Sequence, residues 1–242
     1  MIDNLLNVPL ELKVVPVFPT PVSIVTLDDK SLNDLLIYDI DKERERKKSG
    51  MGTFNGNNSA WLSEYGLEKK YASFNKLREY IETAIIPVLR NVGFSNEYIE
   101  KNIIIDSLWA NVIFKNGGWA QPHIHGMGDD FFTGVYYPRG IIEDDSDIIK
   151  ATSVTVQASG ALVLSDPAKN IKRQVKSRDS TEPQAYPYYG ANIYIEPRES
   201  LLVLFPSWIE HYVTPVVDGS IRYSISFSVH KAEGKGVNTN AK

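Results

Sequence analysis

The rhythm of hydrophobic and polar positions changes near residue 103 of the chain. Upstream, Leu77, Tyr80, Ile81, Ala84, Ile85 and Leu89 fall on one face of the segment 74–91, the spacing of an amphipathic helix. Ser73 is placed to cap that helix, Gly93 to stop it, and Pro87 to kink or locally break it. Residues 95–101 read as a short further helix, and the charged run 41–48 as an exposed helix end. Residues 10–27 are apolar and punctuated by Pro16, Pro19 and Pro21. They read as an extended segment suited to a sheet edge, because proline cannot donate to a ladder.

Downstream, β-branched and apolar residues alternate with polar ones in short runs. Candidate strands are 104–114, 121–125, 133–137, 153–157, 161–164, 192–196, 201–205, 211–213 and 222–229. Turn residues separate them, as at Asn116-Gly117-Gly118, Pro138-Arg139-Gly140, Asp166-Pro167 and Asp218-Gly219. Many short strands with regular turns predict a sandwich or barrel. The expected organisation is one integrated domain: an extended and helical support (1–102), a mainly β core (103–230) and a tail (231–242).

Composition narrows the function classes. The 242 residues are 43% hydrophobic and 23% charged, with a formal net charge of −4. That suits a globular chain with a sizeable core and argues against a dedicated nucleic-acid surface. The basic stretch 169–178 reads as a solvated loop. There is no cysteine, so disulfides, thiolate metal sites and cysteine nucleophiles are excluded. No apolar run approaches the roughly 20 residues a bilayer requires, and the N-terminus lacks a signal-peptide pattern. The expectation is a soluble cytoplasmic protein with no membrane partner.

Chemistry concentrates in the histidines, of which there are four: His123, His125, His211 and His230. On a strand, alternate side chains share a face, so the His-x-His at 123–125 projects two imidazoles into one space, with Ile124 expected to face the core. His211, after the run Phe205-Pro206-Ser207, is the natural third ligand of a metal site with open positions. His230 reads as a surface or packed residue. Farther on, Arg222 and Ser224 share a strand face, where a guanidinium could grip a carboxylate in bidentate fashion and a hydroxyl could assist. A surface ion pair is the competing reading of Arg222.

These residues, in order with Thr133-Gly134-Val135-Tyr136-Tyr137, the run 160–167, the run 201–207 and Arg222-Tyr223-Ser224-Ile225-Ser226-Phe227, resemble the 2-oxoglutarate/Fe(II) oxygenases of marine bacteria and cyanophages. That group is similar to the prolyl 4-hydroxylase branch. The segments 58–63 and 109–111 share the resemblance, which covers about 55–229. It implies a double-stranded β-helix (a cupin-like jelly roll) with N-terminal supporting helices and Fe(II) at one mouth. It also implies 2-oxoglutarate as co-substrate, O2, and release of succinate and CO2 as a substrate is hydroxylated. His123 and His211 match metal ligands, and Arg222, assisted by Ser224, matches the grip on the distal co-substrate carboxylate. Thr133 and Phe114 match positions lining the co-substrate pocket, Phe114 standing where tyrosine is common. If phage-encoded, the protein acts in the host cytoplasm.

One departure stands out. The second position of the His-x-acid motif is His125. Either His125 completes a three-histidine site, which strand geometry favours, or Asp129 or Asp130 swings in to supply a carboxylate. The substrate, a small molecule or peptide, is left to variable parts: the polar stretches 49–59 and 141–150 as lids, and 179–190, with Tyr186, Tyr188 and Tyr189, as a groove. Trp119, Trp208 and Tyr136 are candidates for shaping the pocket or for core packing. A homodimer through the proline-rich N-terminal strand is an open arrangement. Two rival readings are a cupin-like metalloprotein independent of 2-oxoglutarate and a non-catalytic β-barrel.

Overall fold

The computed structural model describes residues 20–48, 50, 59–114, 118–125, 130–141, 149–152, 158–167, 192–217 and 219–232. In chain order the elements are β1 (Ser23–Thr26), α1 (Lys30–Arg46), β2 (Ala60–Leu62), a 3-10 turn (Leu67–Lys69), α2 (Ala72–Asn91), α3 (Asn96–Asn102) and β3 (Ile103–Ile113). There follow β4 (Ala120–His123), β5 (Asp130–Tyr137), β6 (Ile149–Thr152), β7 (Leu162–Ser165), β8 (Asn192–Ile195), β9 (Leu201–Pro206), β10 (His211–Val213) and β11 (Arg222–Lys231). All strand pairs are antiparallel. A major sheet has the order β1-β9-β5-β11-β3-β2, and a minor sheet β4-β10-β7-β8-β6. This is a double-stranded β-helix with supporting helices, as the strand pattern and the resemblance lead one to expect.

Period-two alternation builds the layers. Along β5 and β9, Val135, Tyr137, Leu201, Val203 and Phe205 face the minor sheet and pack on Leu162, Leu164 and Ile195. Their neighbours Phe132, Tyr136, Leu202 and Leu204 face the other way, into a larger cluster with Leu36, Ile40, Phe74, Leu77 and Ile81 of the helices. The major sheet is thus buried on both faces. Gly134 reflects this crowding, since a Cβ there would sit 2.2 Å from Cζ of Phe227. β1, which falls in the described part (20–27) of the segment expected at a sheet edge, lies at the edge of the major sheet.

The helices differ from expectation in instructive ways. α2 begins at Ala72, and its N-cap Tyr71 makes no side-chain capping bond. Ser73 lies inside the helix and donates to Asp39 Oδ2 at 2.5 Å, tying α2 to α1. Pro87 is accommodated within α2 without ending it, the buried face of Ile81, Ile85 and Leu89 holding the turns on both sides. The short α3 is capped by Ser95, which accepts from Tyr98 N. The charged run 41–48 does end a helix, but it is not wholly exposed. Glu43 is buried, and its carboxylate accepts from Arg46 Nη2 at 2.6 Å, from Tyr71 Oη at 2.7 Å and from Lys70.

Other expectations shift too. Strand 153–157 lies outside the described residues, whereas the pairing with β8 is made by Ile149–Thr152, so the polar stretch 141–150 runs into a strand. Ile124 does not face the core but is 53% exposed, because β4 is the edge strand of the minor sheet and its outer face is uncovered by the described residues. The segments 169–178 and 179–190, and 49–59 apart from Gly50 and Ser59, lie outside the described residues. No helix among the described residues is long and apolar enough to cross a membrane.

Glu43 supplies a test of the support layer. Burial pushes its carboxyl up, but the hydrogen bonds from Arg46, Lys70 and Tyr71 outweigh this and bring it from 4.5 to about 2. A folded-state value below the unfolded one stabilises fully above the unfolded value and is lost as pH falls through the folded one. Glu43→Gln should therefore cost about 1–3 kcal/mol near neutrality. It should also flatten the loss of stability between pH 4.5 and 2, read from urea unfolding at a series of pH values.

Candidate metal and carboxylate site

Between the sheets lies a cavity of about 180 Å³ whose lining includes His123, His125, His211, Thr133, Arg222 and Ser224. Strand register assembles it. β10 pairs with β4 so that His211 lies directly opposite His123, and with β7 so that His211 lies opposite Leu164. His125 follows the end of β4 and is held by its backbone N–H donating to Ser207 O at 3.0 Å. The result is three imidazoles whose ligand atoms all lie within 4.8 Å of one another. Their ring centroids are 4.3 Å (123–211), 5.0 Å (125–211) and 5.1 Å (123–125) apart.

Tautomer and charge suit metal ligation. Nδ1 of His123 lies 2.8 Å from Gln121 O, and Nδ1 of His211 lies 2.9 Å from Ile209 O. A carbonyl can only accept, so each Nδ1 carries the proton and each Nε2 keeps its lone pair for a metal. Burial, then the neighbouring His123, lowers His125 to about 4, and the same two causes in the same order lower His211 to about 3. Both are neutral at pH 7 and need release no proton on binding. Three nitrogen donors suit a first-row divalent metal.

Of the two carboxylate alternatives, Asp130 does not join the three histidines. Asp130 opens β5 with its Oδ1 3.6 Å from His230 Nδ1 and its Oδ2 accepting from Ser228 Oγ at 3.3 Å. It is engaged away from the three histidines, while Asp129 lies outside the described residues.

Arg222 is 2% exposed and Ser224 1%. Arg222 donates from Nε to Gly160 O at 2.9 Å, from Nη1 to Ser224 Oγ at 2.7 Å and from Nη2 to Tyr137 Oη at 3.0 Å. Its guanidinium carbon lies 4.9 Å from the Tyr137 ring centroid. A guanidinium has five N–H donors, so two remain for a carboxylate entering the cavity. Gly160, at φ +63°, is the residue this approach needs, since a Cβ there would meet Ile141 Cδ1 at 2.8 Å and Arg222 Cδ at 3.2 Å.

The family model described as "Putative 2OG-Fe(II) oxygenase" matches residues 107–228, just over half the chain. The chain belongs to this family. Iron and 2-oxoglutarate are therefore its metal and co-substrate, and the residues present fit both: three converging imidazoles, and a buried guanidinium with donors to spare. No curated protein matches the oxygenase by sequence at a significant level.

Solved structures share its fold. A prolyl hydroxylase from Trichoplax adhaerens, in complex with a hypoxia inducible factor peptide fragment, aligns at TM-score 0.55 and 14% identity, over 86% of this chain and 83% of that one. The α-ketoglutarate-dependent epimerase SnoN from nogalamycin biosynthesis aligns at 0.57 and 11%, over 88% and 79%. HygX from Streptomyces hygroscopicus, with nickel and 2-oxoglutarate bound, aligns at 0.52 and 8%, over 87% and 83%.

Within the oxygenase, not every residue singled out from sequence reaches the cavity. Thr133 does, donating its hydroxyl to Phe227 O at 3.1 Å. Phe114 does not. Trp109, Asn111 and Ile113 line the cavity, so alternation turns Phe114 away, into contact with the helical layer and under Arg44 at 5.4 Å. Trp119 and Trp208 are 37% and 49% exposed, and Tyr136 is core, donating to Asn33 Oδ1 at 2.5 Å. The tryptophans of the lining are Trp61 and Trp109. Tyr137 was missed as well, and its signal was its place two positions beyond Val135 on the inward face of β5.

Titration with Co(II), a visible reporter, tests the ligand set. The wild type should bind one equivalent. His211→Ala and His125→Ala should weaken binding at least 100-fold, whereas Asp130→Asn should stay within about threefold. A large loss from Asp130→Asn in a protein that still folds would restore the carboxylate alternative.

Proposed function

We propose that the protein hydroxylates an amino-acid side chain, free or within a peptide, using His123, His125 and His211 to hold iron and Arg222, with Ser224 and Thr133, to hold 2-oxoglutarate. The observation that carries this reading is the convergence in one cavity of three imidazoles and a buried guanidinium with unfilled donors. When bound, iron with 2-oxoglutarate and O2 supplies oxidative decarboxylation to succinate and CO2, coupled to oxidation of a substrate C–H bond.

The chain's own residues bind, orient and exclude. Arg222 pairs with the distal carboxylate while Tyr137 beneath it fixes the guanidinium plane. Burial lifts the Tyr137 phenol, Arg222 partly offsetting this, so the hydroxyl stays protonated and neutral at working pH. Leu162, Val135, Phe205 and Val213 supply a dry wall, which strengthens charge-assisted contacts and keeps water from the reacting atoms. The cavity of about 180 Å³ is smaller than the roughly 300–1,000 Å³ that drug-sized ligands occupy. It suits the co-substrate plus the reacting group of a larger molecule whose remainder rests at the mouth. The prolyl hydroxylase likeness supports an amino-acid substrate, and the SnoN likeness shows that the same fold carries other outcomes.

The test is anaerobic Fe(II) titration followed by 2-oxoglutarate, watching the weak visible charge-transfer band of the chelate. The band should form in the wild type and be absent in His211→Ala. Arg222→Ala should raise the 2-oxoglutarate Kd by about 10–100-fold, the range of a lost charge-assisted pair, and Tyr137→Phe by about 3–10-fold. Bound iron without a band would favour a metalloprotein independent of 2-oxoglutarate. No bound iron would favour a binding role.

A further inference from the structure

His125 is held differently from its two partners. His123 and His211 each have Nδ1 against a backbone carbonyl, whereas among the described residues no hydrogen bond reaches the His125 ring. Its ring lies instead against the indole of Trp109, with centroids 5.9 Å apart and planes at 25°. Trp109 is 6% exposed and is met edge-on by Tyr65 at 5.0 Å and 72°.

The backbone that presents this indole is irregular. Ser107, two residues before it, adopts φ +58°, an uncommon conformation for a residue with a side chain. Here the β3–β11 ladder slips, Trp109 pairing with Ser226 but Asp106 with Ser228. Such a bulge bends its strand and re-aims the following side chains.

The segment before α2 holds β3 at two positions just past Ser107. Leu108 N donates to Glu68 Oε2 at 3.0 Å, and Gly66 N to Leu108 O at 3.1 Å. Ala110 N donates to Ser63 Oγ at 2.8 Å, and Ser63 N to Ala110 O at 2.9 Å. Glu68 is 7% exposed and Ser63 1%, so these are protected contacts. A bulge with its strand held just past it, directly beside an indole stacked on a candidate ligand, is a device for placing that indole.

We infer that Trp109 is a positioning residue for the third metal ligand: stacking on the indole, set by the Ser107 bulge, does for His125 what backbone carbonyls do for His123 and His211. This rests on the three-histidine reading of the site. It assigns the 60–69 segment a role in the metal centre although none of its residues is a ligand. Losing an outer contact that orients a ligand typically costs 10–100-fold in metal affinity.

The experiment is a double-mutant cycle on Co(II) affinity and visible spectrum, with Trp109→Leu, Trp109→Phe and His125→Ala made singly and with each Trp109 variant combined with His125→Ala. Trp109→Leu should weaken Co(II) binding at least tenfold and alter the d–d bands. Trp109→Phe, which keeps a flat ring, should recover most of the affinity and guards against a leucine variant that fails to fold. In the His125→Ala background neither Trp109 variant should matter further. Equal losses with and without His125, or no loss from either Trp109 variant, would overturn the positioning role while leaving the metal site intact. A wild type that binds no Co(II) would overturn the three-histidine reading and this inference together.

Discussion

The antiparallel register between β10 and β4 is the constraint on which the site depends. It sets His211 opposite His123, joining residues that lie far apart in the chain. A slip of one position would turn His211 to the other face and leave the cavity with two imidazoles. The register is secured from the far side, where β10 also pairs with β7 and His211 faces Leu164. Crowding three imidazoles is tolerable only if they are uncharged. Burial lowers His125 and His211 well below neutrality and provides that condition for these two, so the forces that bury them also prepare them as ligands.

The second demand is a buried cation. Arg222 forms no ion pair among the described residues, and desolvating a charge is costly unless its donors are satisfied. Gly160, Ser224 and Tyr137 take three of its N–H groups, and the Tyr137 ring lies beneath it. That is enough to hold the guanidinium in place and too little to neutralise it. Rigidity for both demands comes from the major sheet, which is packed on one face by the helices and on the other by the minor sheet. α1, α2 and the 60–69 segment are therefore part of the catalytic scaffold in a physical sense, since they fix the strands from which Trp109, Tyr137 and Arg222 project.

What the sequence revealed follows from where local rules govern. The strands carrying His123, Val135, Phe205, His211 and Arg222 were legible because alternation is local and the turns between them have distinct chemistry. Three histidines could be grouped from spacing alone, as could Arg222 with Ser224. Phe114 was placed by the resemblance and not by the strand pattern, and alternation from Trp109, Asn111 and Ile113 turns it to the opposite face. Ile124 was assigned to the core because alternation says which face a residue takes and not whether that face is covered. Ser73 has the chemistry of a cap, but Asp39 on another helix claims its hydroxyl, a tertiary contact outranking a local preference. The body of α1 went unread although Asp29, Leu32, Leu36 and Ile40 carry its cap and its stripe. Glu43 was hidden inside a charge run whose average suggests solvent.

Charge balance ties the unusual ligand set to the rest of the cavity. Three imidazoles contribute no negative charge, and the lining among the described residues contains no aspartate or glutamate. A bound dication and Arg222 would together place three positive charges in a low-dielectric space, where opposite charges attract far more strongly than in water. A dianionic co-substrate would answer most of that charge, with one carboxylate placed toward the guanidinium in the proposed arrangement. In a site with a carboxylate ligand, the protein supplies part of the compensation itself. Here the compensation is left to what binds, so metal and co-substrate should reinforce one another's affinity, each being held less firmly alone. The replacement of an acid by His125 is then consistent with the rest of the pocket, where Arg222 has N–H groups to spare, Ser224 accepts from Arg222 and keeps its own proton to donate, and Asn111 keeps one amide N–H beside the one it gives Ser226.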